Sequence, residues 1–187
     1  MEECNLTITE LSVLAEETAD ALVRILNDFS FTVALAESCT AGLVSNLLAG
    51  IPGASAVLWG SFVCYTREAK VSMLGLDRDA LAAHGLVSGE TARAMASGAM
   101  EKSGANLAAA VTGLAGPSGD GSNVPVGTVW VAASARGAAS NGETTLVREF
   151  HFSGSRNAVR LRAAIAVLES IKSILTKERE NIIKEYP

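Results

Sequence analysis

Between residues 10 and 28 the positions Leu11, Leu14, Thr18, Ala21, Leu22 and Ile25, continuing to Phe29, recur at helical spacing, while Glu16, Glu17 and Asp20 fall on the outer side. This predicts an amphipathic covering helix, with Thr9 available as its N-cap. Phe31 to Ala36 is a short continuous apolar run rich in β-branched and aromatic members, and a new helical pattern begins at Leu43, Val44, Leu47 and Leu48. The order is therefore strand, tight turn, helix. Gly50-Ile51-Pro52-Gly53 forms a turn cluster, Ala56 to Tyr65 reads as a second strand, and Thr66 can cap a helix reaching about Leu74.

A helix opening at Ser88 and closing near Gly104 precedes a third strand, Leu107 to Thr112. Residues 113 to 127 hold five glycines and two prolines, which predicts a loop. Thr128 to Ala135 and Thr145 to Phe152 are strand-like and separated only by a short segment with Gly137 and Asn141-Gly142, so they must pair antiparallel. A last helix is expected from about Ser155 to Thr176, with Val159, Ile165, Leu168, Ile171 and Leu175 inside, and the charged tail after Lys177 is expected to fray. Alternating strands and helices imply an α/β fold: a three-layer α/β/α sandwich around a mixed, mostly parallel sheet of about five strands. No repeat or linker divides the 187 residues, so one domain with its core at about residues 10 to 176 is expected.

Charge narrows the partners. Fifteen Lys and Arg against twenty Asp and Glu give a net charge of −5, so the cationic field that dominates sequence-independent nucleic-acid affinity is missing. No apolar run approaches the ~18 to 20 residues that cross a bilayer, which argues against a membrane partner, and Glu2 and Glu3 stand where a signal peptide would be positive. A cytoplasmic location is expected. Cys4, Cys39 and Cys64 are odd in number with no metal-ligand spacing, and His84 and His151 stand alone, so neither a disulfide framework nor a metal site is expected.

Candidate chemistry gathers where loops leave the carboxyl ends of parallel strands. Glu37-Ser38-Cys39-Thr40-Ala41-Gly42 follows a buried strand and opens a helix, which gives Ser38 or Thr40 two readings, helix cap or, for Ser38, nucleophile beside backbone N–H donors. Cys39 is a rival nucleophile, since thiols at helix starts are activated. Lys70 lies five residues past Tyr65; it is either a solvated surface group or, with both histidines unconvincing, a desolvated neutral base for a serine. Thr112-Gly113-Leu114-Ala115-Gly116-Pro117 ends a strand in a flexible run whose amides could approach an anion.

In order and spacing, the segments at residues 36–40, 65–70, 85–88, 110–117 and 125–129 (AESCT, YTREAK, GLVS, AVTGLAGP and PVGTV) resemble the CinA C-terminal domain family, over about residues 10 to 175. The resemblance implies an amidohydrolase that converts nicotinamide mononucleotide to nicotinate mononucleotide and ammonia. It maps a catalytic serine to Ser38, a lysine base to Lys70, a tyrosine that orients the lysine or meets the pyridine ring to Tyr65, and a threonine-glycine loop to Thr112 and Gly113. N–H groups around Cys39 and Thr40 would hold the oxyanion, and either the amides after Thr112 or Arg156 and Arg160 would hold the phosphate. No cofactor is implied, and the small, apolar composition suggests a homodimer. One departure is visible: the family usually reads SCTGG, and Ala41 replaces its first glycine. The resemblance also leaves room for a catalytically silent interaction or nucleotide-binding protein on the same fold.

Overall fold

The structure is a computed structural model that describes residues 6–136 and 143–185, with backbone placement alone for Glu143 and residues 178–185. The elements run α1 (Ile8–Phe29), β1 (Val33–Glu37), α2 (Leu43–Ala49), β2 (Leu58–Val63), α3 (Arg67–Leu74), α4 (Arg78–His84), α5 (Gly89–Ser103), β3 (Leu107–Gly113), β4 (Thr128–Arg136), β5 (Glu143–His151) and α6 (Arg156–Glu185). The sheet order is β2-β1-β3-β4-β5, with β2, β1 and β3 parallel and the last two pairings antiparallel. The expected mixed sheet of five strands is thus present.

Strand period and side-chain size set the layers. In β3, Leu107, Ala109 and Val111 face a core shared with α1, α2 and α6, while Ala108 and Ala110 face a second core built with Leu74, Leu81 and the inner side of α5. Strands buried on both faces read as unbroken apolar runs, which is why β1 and β3 were visible in the sequence. The α5 face is lined by small residues, Ala36, Ala108, Ala110 and Ala132 against Ala92, Ala96 and Ala99. Close approach continues to α3, where a Cβ on Gly98 would lie 2.6 Å from the Leu74 carbonyl oxygen.

Several boundaries differ from expectation. Helix α1 is capped by Thr7, not Thr9: the Thr7 hydroxyl accepts from the Glu10 N–H and Glu10 accepts from the Thr7 N–H, a reciprocal pair that Thr9, with Ser12 three residues on, cannot make. Strand β2 is shorter than Ala56 to Tyr65 because a 3-10 turn occupies Ala54–Ala56. Helix α4, capped by Asp77, was not expected. Helix α6 runs on through Glu185 instead of stopping near Thr176, in keeping with the helix propensity of its Glu, Lys and Arg residues. The Gly137 and Asn141-Gly142 turn lies outside the described residues, as does Cys4.

Between β1 and α2 the chain turns through two left-handed residues, Ala41 (φ 51°) and Gly42 (φ 91°). Glycine occupies this region without penalty, whereas an alanine Cβ crowds the following carbonyl at a cost of about 1 kcal/mol. Ala41→Gly is therefore expected to stabilise the fold by about 1 kcal/mol, and Gly42→Ala to destabilise it by a similar amount, as read from chemical denaturation midpoints. An Ala41→Gly variant less stable than wild type would contradict this backbone assignment.

Candidate active site

Three loops leave the carboxyl ends of the parallel strands side by side. Register places Glu37 of β1 opposite Val63 of β2 and Val111 of β3, so Ser38, Cys64 and Thr112 follow at one edge of the sheet. The Ser38 N–H donates to the Val111 carbonyl at 3.0 Å, and the Cys64 N–H donates to the Glu37 carbonyl at 2.8 Å. These bonds extend the sheet by one residue and fix the direction in which Ser38 leaves it.

Thr66 caps α3 through the Ala69 N–H, and the first turn of that helix carries Lys70 back under the sheet edge. Lys70 is 1% exposed. Its Nζ lies 2.9 Å from Ser38 Oγ and 2.7 Å from the Cys64 carbonyl oxygen. Among the described residues no carboxylate forms an ion pair with it. Burial is the main influence on the amine and pushes its pKa below the ordinary lysine value, only partly opposed by Cys64 and Cys39.

Cys39 is buried beside Ser38, and burial pushes its thiol up to about 12. A thiol held protonated is a weak nucleophile, so burial counts against the rival reading of Cys39. Neither Ser38 nor Thr40 caps α2. That role belongs to Glu37, 1% exposed, whose carboxylate accepts from the N–H groups of Gly42 (2.9 Å), Val44 (3.1 Å) and Ser45 (2.9 Å) and from Ser61 Oγ (3.1 Å). The first N–H groups of the helix are thus occupied. The N–H groups of Cys39 and Thr40, which precede these, donate to no backbone carbonyl among the described residues. The sequence holds a local signal for this role, since a glutamate six residues before a helix start is within reach of its N–H groups.

A cleft of about 150 Å3 opens in front of Ser38, lined also by Cys39, Tyr65, Thr112, Gly113 and Arg156. Leu86, Val87, Leu114 and Ala115 form its apolar wall, and Asp120, which the sequence did not single out, stands at its edge. Tyr65 makes no hydrogen bond to Lys70; its hydroxyl accepts from Arg156 at 2.8 Å, and the other arm of Arg156 donates to the Gly116 carbonyl. Arg160 turns away to hold the Thr40 carbonyl at 2.7 Å, and it does not line the cleft. Thr40 is fully buried, and its hydroxyl has no partner among the described residues. The Thr112 hydroxyl donates to the Leu86 carbonyl at 2.7 Å, tying the loop before α5 to the end of β3. Gly113 is needed for strand packing, since a Cβ there would lie 2.8 Å from the Thr128 carbonyl oxygen.

No group of three or more His, Cys, Asp or Glu among the described residues could hold a metal ion, and no helix there is long and apolar enough to cross a membrane.

The family model of the CinA C-terminal domain matches residues 15–175. A CinA-like protein of Geobacter metallireducens is 41% identical over 157 residues, covering 83% of this chain and 37% of that protein. One from Thermotoga maritima is 36% identical over 167 residues, covering 89% of this chain and 39% of that protein. The chain therefore spans less than two fifths of the length of these relatives. The crystal structure of the competence/damage inducible protein CihA from Agrobacterium tumefaciens superposes with a TM-score of 0.81 at 40% identity, covering 87% of this chain and 96% of that one. Sequence match and shared fold agree over the segments that build the Ser38 cleft, and the chain belongs to the CinA C-terminal domain family.

Proposed function

We propose that the protein is an amidohydrolase that uses Ser38 as nucleophile and Lys70 as general base, and that its substrate is the carboxamide of a pyridine mononucleotide. The observation that carries this reading is the 2.9 Å contact of Ser38 Oγ with a buried amine whose pKa is lowered by desolvation. A neutral lysine can accept the serine proton, whereas an ordinary ammonium cannot.

Ser38 Oγ attacks the carboxamide carbon as its proton passes to Lys70 Nζ. The carbonyl oxygen becomes an oxyanion, for which the N–H groups of Cys39 and Thr40 are the available donors. Collapse breaks the C–N bond, and Lys70 returns its proton to the departing ammonia. Water then attacks the acyl-enzyme, giving its proton to Lys70. The ester C–O bond breaks, Ser38 recovers the proton and the carboxylic acid leaves. Throughout, the Cys64 carbonyl keeps Nζ in line by accepting one of its hydrogens. Of the groups considered for the phosphate, the Leu114 N–H after Thr112 is taken by the Thr128 carbonyl, and Arg156 lines the cleft while Arg160 does not, so Arg156 is assigned the anion.

Ammonia release from nicotinamide mononucleotide by the purified protein tests the reading. Ser38→Ala is expected to abolish it in a folded protein, while Cys39→Ala retains turnover within a few-fold because Cys39 supplies only its backbone N–H. Equal loss in both variants would move the nucleophile to the thiol. Lys70→Arg, which keeps a charge but cannot surrender a proton, is expected to be as inactive as Lys70→Ala; near-normal turnover would make Lys70 an anion anchor instead.

The lowered Lys70 pKa also sets two pH dependences. Acylation is expected to rise with pH as the amine loses its proton and then level off below the ordinary value of 10.5. Between the folded value and 10.5 the unfolded chain holds a proton that the folded chain has released, so stability conferred by this group increases with pH across that window and is lowest beneath it. Urea denaturation is expected to show wild type gaining stability relative to Lys70→Met between pH 7 and 10. Parallel curves would mean that Lys70 titrates normally.

A further inference from the structure

The buried carboxylate of Glu37 takes no proton in the scheme above, yet it is the most heavily bonded side chain at the site. Its two oxygens accept from Gly42, Val44 and Ser45 N–H and from Ser61 Oγ. It thereby closes the segment 37–45 on itself, and the N–H groups of Cys39 and Thr40 lie inside that closed segment. The second tie, Ser61 Oγ, belongs to β2, and the backbone carbonyl of Glu37 accepts from the N–H of Cys64, the residue whose own carbonyl holds Lys70. One residue therefore joins the turn that carries the nucleophile to the strand end that aims the base.

We infer that Glu37 is a positioning residue for the reaction: its carboxylate sets the distance between Ser38 and Lys70 and the geometry of the Cys39 and Thr40 N–H groups. The inference rests on the Ser38 and Lys70 reading given above. It is chemically specific to a carboxylate. The four donors converge on two oxygens that must only accept, and an amide at this place turns a donor toward one of them. An ordinary Ser or Asp N-cap would reach one or two of the helix N–H groups but not Ser61 as well. A misplacement of reacting atoms by about 1 Å can cost about 100-fold in rate while leaving ground-state binding intact.

The test compares wild type, Glu37→Gln, Glu37→Ala and Ser61→Ala in two assays, each corrected for folded fraction by circular dichroism. One is turnover of nicotinamide mononucleotide. The other is the rate at which an alkyl fluorophosphonate labels Ser38, followed by mass spectrometry, which needs the nucleophile, base and oxyanion donors but not the natural substrate. Glu37→Ala is expected to lose about 100-fold in both kcat and labelling rate, Glu37→Gln to retain part of each, and Ser61→Ala to fall between Gln and wild type, with KM within twofold throughout. If Glu37→Ala does not fold, Glu37→Gln against wild type decides the matter. Folded Glu37 variants with lowered thermal midpoints but unchanged kcat and labelling would overturn the inference, leaving Glu37 a stability residue only. Wild type that labels at Ser38 without turning over the nucleotide would overturn the substrate reading alone, and labelling would still decide the role of Glu37. Wild type that does neither would overturn both.

Discussion

The amine of Lys70 is held out of water with no ion-pair partner among the described residues, and two contacts, to Ser38 Oγ at 2.9 Å and the Cys64 carbonyl at 2.7 Å, make that placement tolerable. An unpaired ammonium at such a depth loses several kcal/mol of hydration, so burial works in favour of the neutral amine. Stability and chemistry share this constraint. The same burial that penalises the charged form lowers the pKa of the amine, which is the direction that the proposed proton exchange with Ser38 requires.

Topology brings the two groups together. Because β1 and β2 are parallel neighbours in register at Glu37 and Val63, the residues that follow them emerge side by side, one strand feeding the Ser38 turn and the other the Cys64 carbonyl and α3. β3 closes the third side with Thr112, whose hydroxyl fastens the segment before α5. The alanine-rich packing beneath α5 keeps that helix close to the sheet, so Leu86 and Val87 wall the cleft instead of standing off from it. The turn itself carries local strain at Ala41, and it is held by Glu37 from within and by Arg160 from α6. Strained backbone persists where surrounding contacts over-determine it, and here those contacts surround Ser38.

Local pattern made much of this legible. Buried strands announced themselves as apolar runs, the caps Thr66 and Ser88 stood at their helix starts, and the glycine-rich segment holds no regular element beyond Gly113, which ends β3. Ser38 and Lys70 stand 32 residues apart and nothing local in either points to the other, so sequence alone offers their pairing as one of two readings of the lysine, and the family resemblance singles it out. Long-range partners were invisible for the same reason: Arg156 meets Tyr65 across 91 residues and Arg160 meets Thr40 across 120, so two arginines that looked equivalent in sequence have different duties. Other misses had local signals. Thr7 and Glu10 carry the spacing of a capping box, Asp77 stands three residues before the Ala80 N–H it accepts from, and Glu37 had a helix within reach. In each case a more obvious hydroxyl or a longer helix nearby drew the reading away.

The proposed chemistry depends on Lys70 resting as a neutral amine against Ser38. Its direct measurement is a heteronuclear NMR titration of side-chain-labelled lysine, with the Lys70 resonance assigned by its loss in Lys70→Met. The Lys70 signal is expected to titrate well below the ordinary value of 10.5, apart from the other lysines, and to move when Ser38 is replaced by alanine. A Lys70 signal that titrates at about 10.5 with the rest of the lysines, and is indifferent to Ser38, would contradict it.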